Sequence, residues 1–377
     1  MRITHISDCY LPRLGGIEVQ VTELTRRQAE QGNDIHVLTA TPGEDVRKGT
    51  EIIDGVTVHR VTARMPFELP VHPRTRKALA PLLASQSPDV VHVHLGAVSP
   101  FAWGGIRAAL KVGLPVLATV HSIWGKMSRA GYRALDGLRD YCDRGVQPAA
   151  VSRVAADLIA AALHYSGEVF ITPNGVDLAD WSPQGKLPGE AGSPTTFVTA
   201  MRLAPRKRSQ PLLEMFAAAQ QIAGPQHPMR LLVAGDGPHR ARLEKYVRSH
   251  GLTDSVTFLG RLSRPDLHQL YLRSDVFVQP SIKESFGLAA LEARTSGLPI
   301  VARSQTGLSE FVRDGLEGLL AVDDHGMAAA MALLASDGVL RDEITRHNVT
   351  TPPAQIWPEV LAGLRRDYQR LMRPAER

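Results

Sequence analysis

The sequence predicts an α/β protein made of two doubly wound parallel-sheet domains, and three observations carry that prediction. The chain has 377 residues, more than one hydrophobic core usually organises. Short apolar runs alternate with segments of helical spacing from the first residue onward. The alternation breaks at Pro173-Asn174-Gly175-Val176-Asp177, which carries a turn signal, and then starts again.

Arg2 to Ser7 reads as a first strand, followed by a loop containing Gly15-Gly16. Glu18 to Gln31 places Val19, Leu24 and Ala29 at roughly helical spacing, with Gly32 as a stop. Asp34 to Thr39 and Val56 to Val61 read as strands, and Arg74 to Ser85 as a helix. Asp89 to His94 reads as a buried strand, Ala102 to Val112 as a helix, and Pro115 to His121 as a strand ending in a polar residue. This order implies a parallel sheet covered on both faces.

After the turn, Thr196 to Met201, Met229 to Ala234, Ser255 to Leu259, Val276 to Pro280 and Pro299 to Ala302 read as strands. Helical segments lie between them, notably Arg240 to Ser249, Pro265 to Arg273 and Phe286 to Thr295. The junction is placed near 173–195, which is rich in Pro, Gly and Ser, giving domains of 1–172 and 173–354. Two such units put the natural ligand site in a crevice facing the carboxyl ends of both sheets. Ile356 to Met372 forms a further amphipathic helix after Pro352-Pro353, and periodicity leaves its packing partner open.

Hydrophobic residues make up 44% and charged residues 21%, the balance of a soluble globular protein without long low-complexity disorder. Cys9 and Cys142 are too few for a disulfide framework or a cysteine-based metal site, which fits a reducing cytoplasm. The N-terminus lacks signal-peptide organisation, and no apolar run reaches the ~18 residues of a membrane span. The expectation is a cytoplasmic protein, at most peripheral on the cytoplasmic membrane face. A formal charge of +5 suits anionic ligands such as diphosphates or acidic lipids. Nucleic acid is not expected, because there is no zinc-finger spacing, RNA-binding aromatic motif or basic tail.

The densest chemical signal runs from Gln279 through Glu284-Ser285-Phe286-Gly287 to Leu291-Glu292 and Gly297-Leu298-Pro299. A strand ends at Pro280 and a helix is expected to begin near Ser285, where unpaired N–H groups suit a phosphate. On one helix, Glu284 and Glu292 would stand about 12 Å apart, too far to share one bond but suited to opposite ends of an extended ligand. Taken alone, the pattern also fits a capping Glu284 and a solvated Glu292.

Arg202, Arg206, Lys207 and Arg208 form a cationic knot after a strand, able to neutralise a diphosphate leaving group or simply to be solvated. Gly15-Gly16 and Gly235-Asp236-Gly237-Pro238 are tight turns that admit close backbone approach but lack the dinucleotide-binding fingerprint. His121 ends a strand facing the predicted crevice and could donate to a sugar hydroxyl. His92 and His94 share one face of the preceding strand and read as satisfied structural residues. No Asp-x-Asp pair and no His, Cys or carboxylate spacing marks a metal site, so no catalytic metal and no cofactor are expected.

In this order the motifs resemble the retaining glycosyltransferases of family 4, which have the GT-B architecture of two Rossmann-like domains facing a central cleft. The resemblance spans Leu14 to Glu18, Asp89 to His94, Val120-His121, Pro173 to Asp177, Arg202 with Lys207, Gly235 to Pro238, Glu284 to Glu292 and Gly297 to Ala302. The two glutamates with Ser-Phe-Gly between them are its most specific part.

The resemblance implies that Arg202 and Lys207 hold a donor diphosphate and that Glu292 binds the ribose. The amides of Phe286, Gly287 and Leu288, next to Ser285, would face phosphate or sugar. Glu284 would stand beside the sugar, His121 would contact it, and Gly16 would lie where the domains close. The segment 355–377 would cross back to the first domain.

It also implies transfer of a hexose from a nucleoside-diphosphate sugar, GDP-mannose or a UDP-sugar, to an acceptor hydroxyl on a lipid or glycan. Two departures stand out, Arg294 in a helix expected to be well packed and the single glycine of Thr306-Gly307-Leu308. The rival readings are a nucleotide-sugar epimerase and a catalytically silent nucleotide-sugar-binding protein. Arg74, Arg76 and Lys77 with Leu79, Leu82 and Leu83 give the helix at 74–85 the pattern of a peripheral contact with anionic membrane.

Overall fold

The structure, a computed structural model, describes residues 1–13, 15–63, 71–123, 137–186 and 192–373. Leu14 of the first glycine motif and residues 374–377 of the C-terminal segment lie outside them. The chain divides into two compact units, Met1–Gly175 with Pro358–Arg377, and Val176–Trp357.

The sheet of the first unit contains β1 (Arg2–Ser7), β2 (Asp34–Thr39), β3 (Gly49–Ile53), β4 (Val56–Arg60), β5 (Val90–Leu95), β6 (Val116–Val120), β7 (Val146–Ala150) and β8 (Phe170–Ile171). Their spatial order is β3-β4-β2-β1-β5-β6-β7-β8. Every pairing is parallel except β3 on β4. β5 and β6 are buried along their whole length, as expected of central strands with helices on both faces.

The antiparallel β3 was not predicted. It is made by Asp54-Gly55, both at positive φ (48° and 79°), a two-residue hairpin turn that the flanking sequence does not advertise by clean alternation. The helices are α1 (Gly16–Glu30), α2 (Thr75–Gln86), α3 (Pro100–Val112), α4 (Gly137–Asp143) and α5 (Arg153–Leu163). Ser152, which interrupts an apolar run in the sequence, caps α5 by accepting from the Ala155 amide at 3.1 Å.

The sheet of the second unit contains β9 (Thr195–Ala200), β10 (Met229–Ala234), β11 (Val256–Gly260), β12 (Val276–Gln279), β13 (Ile300–Arg303) and β14 (Gly318–Ala321). It is parallel throughout, in the order β11-β10-β9-β12-β13-β14. Its helices are α6 (Ser209–Ala223), α7 (Arg240–Ser249), α8 (Arg264–Leu272), α9 (Leu288–Thr295), α10 (Asp324–Ser336) and α11 (Gly338–Thr350). Both units are therefore doubly wound α/β folds.

The chain ends in α12 (Trp357–Met372). Its apolar stripe of Val360, Leu361, Leu364 and Tyr368 is buried, and Tyr368 bonds to residues of β5 and α1 in the first unit.

Two expectations need correction. The helix predicted from Ser285 begins at Leu288, because Gly287 sits in the left-handed region at φ 95° and ends the preceding turn. Glu284 is therefore not a helix cap, and the 12 Å helical spacing to Glu292 does not apply. Leu79 and Leu83 of α2 are fully buried in the core of the first unit, so the apolar half of the predicted membrane-facing helix is already used. Among the described residues no helix is long and apolar enough to cross a membrane.

Candidate functional site

In the second unit the strand order reverses between β9 and β12, which pair directly. At such a switch point the loops leaving the carboxyl ends of both strands diverge and leave room for a ligand. Those two loops are the cationic knot after β9 and the Glu284 segment after β12. Lys207, on a single 3-10 turn at Pro205–Lys207, reaches across with Nζ 2.6 Å from Glu284 Oε2. Gln279, the last residue of β12, donates from Nε2 to the same oxygen at 3.0 Å.

The four basic residues of the knot divide their work. Arg208 gives both guanidinium nitrogens to the two oxygens of Asp324 at 2.7 and 2.6 Å, and Arg303 joins the same carboxylate at 2.8 Å. Arg208 thus anchors the loop, and Arg202 and Arg206 are exposed. The Gly235-Asp236-Gly237 turn supports Arg202 from behind. A Cβ on Gly235 would stand 1.9 Å from the Met201 carbonyl oxygen, and one on Gly237 2.4 Å from that of Leu203. These glycines serve backbone packing within the unit.

The Ser285 to Leu288 turn is held in the same way. The Gly307 amide donates to the Glu284 carbonyl at 2.9 Å, and a Cβ on Gly307 would lie 2.0 Å from the Ser285 carbonyl oxygen. The single glycine that departs from the family pattern is thus the one the turn requires. Phe286 is buried against Phe311, with ring centroids 5.4 Å apart, so its side chain belongs to the core. The amides of Phe286, Gly287 and Leu288 donate to no acceptor among the described residues, and they open α9, where an anion is favoured.

Glu292 lies in the second turn of α9 and is 7% exposed, not solvated. Burial pushes its carboxyl up to about 7, against the opposing pull of Arg264, whose Nη1 is 3.7 Å away. Arg264 also lies 5.3 Å over the Trp181 ring and 3.7 Å from Asp180. Arg294 is only partly accommodated in this helix, its buried Nε having no hydrogen-bond partner among the described residues. It is buried and pairs at 3.4 Å with Glu317, itself buried and bound by Arg313.

In the first unit Gly16 is the first residue of α1, and a side chain there would meet nothing within 4 Å. His121 follows β6, and its Nε2 lies 3.0 Å from His94 Nδ1. His94 Nε2 lies 3.0 Å from His5 Nδ1, and His5 Nε2 lies 2.8 Å from Gln28 Oε1. Gln28 and His92 both bond to the Tyr368 hydroxyl, at 3.3 and 2.7 Å. Burial holds His5 and His121 down to about 4 and also holds His92 and His94 well below the usual imidazole range, so all four are neutral at pH 7.

Sequence spacing gave no sign of a histidine cluster, yet ring nitrogens of His5, His92 and His94 lie within 4.8 Å of one another. Each ring nitrogen of the three already has a hydrogen-bond partner. A metal ion would have to displace several of these bonds.

Two family descriptions match the chain, Glycosyltransferase Family 4 over residues 14–180 and Glycosyl transferases group 1 over residues 186–350. A D-inositol 3-phosphate glycosyltransferase of Geodermatophilus obscurus is 32% identical, covering 88% of this chain and 80% of the relative. The chain belongs to glycosyltransferase family 4. A GDP-mannose-dependent alpha-mannosyltransferase of Mycolicibacterium smegmatis is 27% identical, with 99% of this chain and 98% of the relative covered. The fold of this glycosyltransferase is GT-B. The sucrose-phosphate synthase of Thermosynechococcus elongatus shares it with a TM-score of 0.77 at 21% identity, over 98% of each chain.

Within the glycosyltransferase, the structure joins Lys207 to Glu284 and places Ser285 to Leu288 and Glu292 on the adjoining turn and helix. Arg202 stands exposed on the same loop as Lys207. His121 and Gly16 belong to the other unit. Sequence reasoning placed Gln279 at the start of the Glu284 motif without giving it a role, and it missed Arg264. A polar residue closing a buried strand was a usable sign of Gln279, whereas Arg264, the first residue of an ordinary capped helix, carried none.

Proposed function

We propose that this glycosyltransferase moves a hexose from a nucleoside-diphosphate sugar to an acceptor hydroxyl with retained anomeric configuration and without a metal ion. The observation that carries this reading is the Lys207–Glu284 pair at the strand-order switch point, beside exposed Arg202 and the amides of 286–288, which have no acceptor among the described residues. In this reading Arg202 and Lys207 neutralise the diphosphate as the bond from the anomeric carbon to its phosphate oxygen breaks. The acceptor oxygen forms the new bond and its proton passes to the departing phosphate oxygen.

Glu284 Oε2 already accepts from Lys207 and Gln279, which supports a role in orienting Lys207 and sugar hydroxyls over that of a nucleophile. Glu292, partly neutralised by burial, hydrogen-bonds the ribose. His121 and Gly16 contribute to the sugar and diphosphate from the first unit. The cation-supplied charge and the satisfied histidine nitrogens support a metal-independent reaction.

GDP-mannose is the favoured donor, supported by the mannosyltransferase relatives. Thermal shift with GDP, UDP and ADP tests the nucleotide, since binding to the native state raises the midpoint. Turnover of GDP-mannose with and without acceptors, with the product anomer read by NMR, tests the reaction. A β-linked product would exclude retention, epimer formation without acceptor would favour an epimerase, and binding without transfer or hydrolysis would favour a silent protein.

The acceptor is proposed to be a lipid or glycan hydroxyl, with peripheral contact to anionic membrane through the basic start of α2. Arg74, Arg76, Lys77 and Arg107 line a cavity of about 490 Å³ there, and all four are exposed. With Leu79 and Leu83 buried, this contact would be electrostatic. Salt-sensitive co-sedimentation with anionic vesicles is expected, and its absence would remove the membrane partner.

A further inference from the structure

The histidines of the first unit form one directed chain of hydrogen bonds, and the Gln28 carboxamide sets its direction. Gln28 Nε2 donates to the Tyr368 hydroxyl at 3.3 Å, so Oε1 is left to accept from His5 Nε2 at 2.8 Å. A neutral imidazole has one N–H and one lone pair. His5 Nδ1 must therefore accept, and it does so from His94 Nε2 at 3.0 Å. His94 Nδ1 then accepts from His121 Nε2, also at 3.0 Å.

On the other branch, Tyr368 spends its only proton on His92 Nδ1 at 2.7 Å, and His92 Nε2 donates to Thr119 Oγ1 at 2.8 Å. Gln28 and His5, His92 and His94 are all at most 3% exposed, so no solvent is at hand to repair a mismatched link. Reversing one link alone would set two N–H groups or two lone pairs face to face. The links therefore reverse together or not at all.

We propose that Gln28, His5 and His94 are positioning residues that fix the tautomer of His121, anchored by Tyr368 of α12. His121 carries its proton on Nε2, and any partner of its Nδ1, a ligand hydroxyl included, must be a donor. This reverses the sequence expectation that His121 donates to the sugar. The consequence for catalysis rests on the proposed place of His121 at the donor sugar, whereas the tautomer itself does not.

The test is NMR of the full chain with ¹⁵N-labelled histidine rings, His121 being assigned from its loss in His121→Gln. The expected signature is a pyrrole-type Nε2 and a pyridine-type Nδ1. Gln28→Glu, which still accepts from His5, should keep it. Gln28→Leu should give a mixed tautomer, as should Tyr368→Phe, which frees the Gln28 amide to turn over. A wild-type His121 protonated on Nδ1, or an unchanged signature in both folded Gln28→Leu and Tyr368→Phe, would overturn the relay.

Activity separates the two readings. Gln28→Leu should lower kcat roughly tenfold, the value of one misdirected hydrogen bond, with Gln28→Glu within about twofold of wild type. A tautomer that shifts as expected while kcat stays constant would leave the relay standing and remove His121 from the donor sugar.

Discussion

Lys207 Nζ lies 2.6 Å from Glu284 Oε2, although 77 residues separate them along the chain. The pair is half open to solvent on the lysine side, with Lys207 32% exposed and Glu284 12%. If the two act as one device on the donor diphosphate, Lys207→Ala and Glu284→Ala should each lower kcat/KM about 10²–10³-fold. The double variant should then cost little more than either single one. Steady-state kinetics of the three variants checks this, and fully additive losses would separate the roles.

Two glycines make opposite predictions. Gly307→Ala puts a methyl against the Ser285 carbonyl and should destabilise the protein by about 1–3 kcal/mol, weakening nucleotide binding with it. Gly16→Ala meets no atom within 4 Å and improves helix propensity, so its stability should stay within about 0.5 kcal/mol of wild type or rise. If Gly16 faces the donor diphosphate, turnover falls all the same. Urea unfolding beside donor kinetics separates the two cases.

Glu292 predicts a pH dependence of stability. Burial raises its folded-state carboxyl from 4.5 to about 7, so the native state holds that proton more tightly than the unfolded chain does. The stabilisation is complete below about pH 4.5 and is lost as pH rises through about 7, by about 3 kcal/mol at most. Wild type should lose more stability than Glu292→Gln between pH 5 and 8. Parallel melting curves for the two proteins would refute this.

Metal independence predicts that exhaustive chelation leaves transfer unchanged. Measurement of turnover after EDTA treatment and desalting checks it. Activity lost on chelation and restored by a divalent cation would reverse the proposal and turn attention to His5, His92 and His94.

Much of the fold was legible because strands and helices with buried faces impose their own periods on the sequence. β2, β10 and α7 have the bounds that periodicity gives. The segment from Gly137 to Ile171 was not read, although it holds two helices and two strands. Its strands are too short, or too rich in Ala and Pro, to stand out. The start of α9 was misplaced because Ser285 imitates a helix cap while Gly287 at positive φ actually breaks the chain there.

The sequence by itself determined that two parallel-sheet units exist and which short motifs carry charge and glycine at strand ends. Those features are local, and local steric and hydrophobic rules write them into neighbouring residues. Tertiary structure alone decided which motifs meet. Lys207 finds Glu284 because β9 pairs with β12, and His5 reaches His94, 89 residues away, because β1 pairs with β5. Strand order is set by packing across the whole sheet, and no window of sequence contains it.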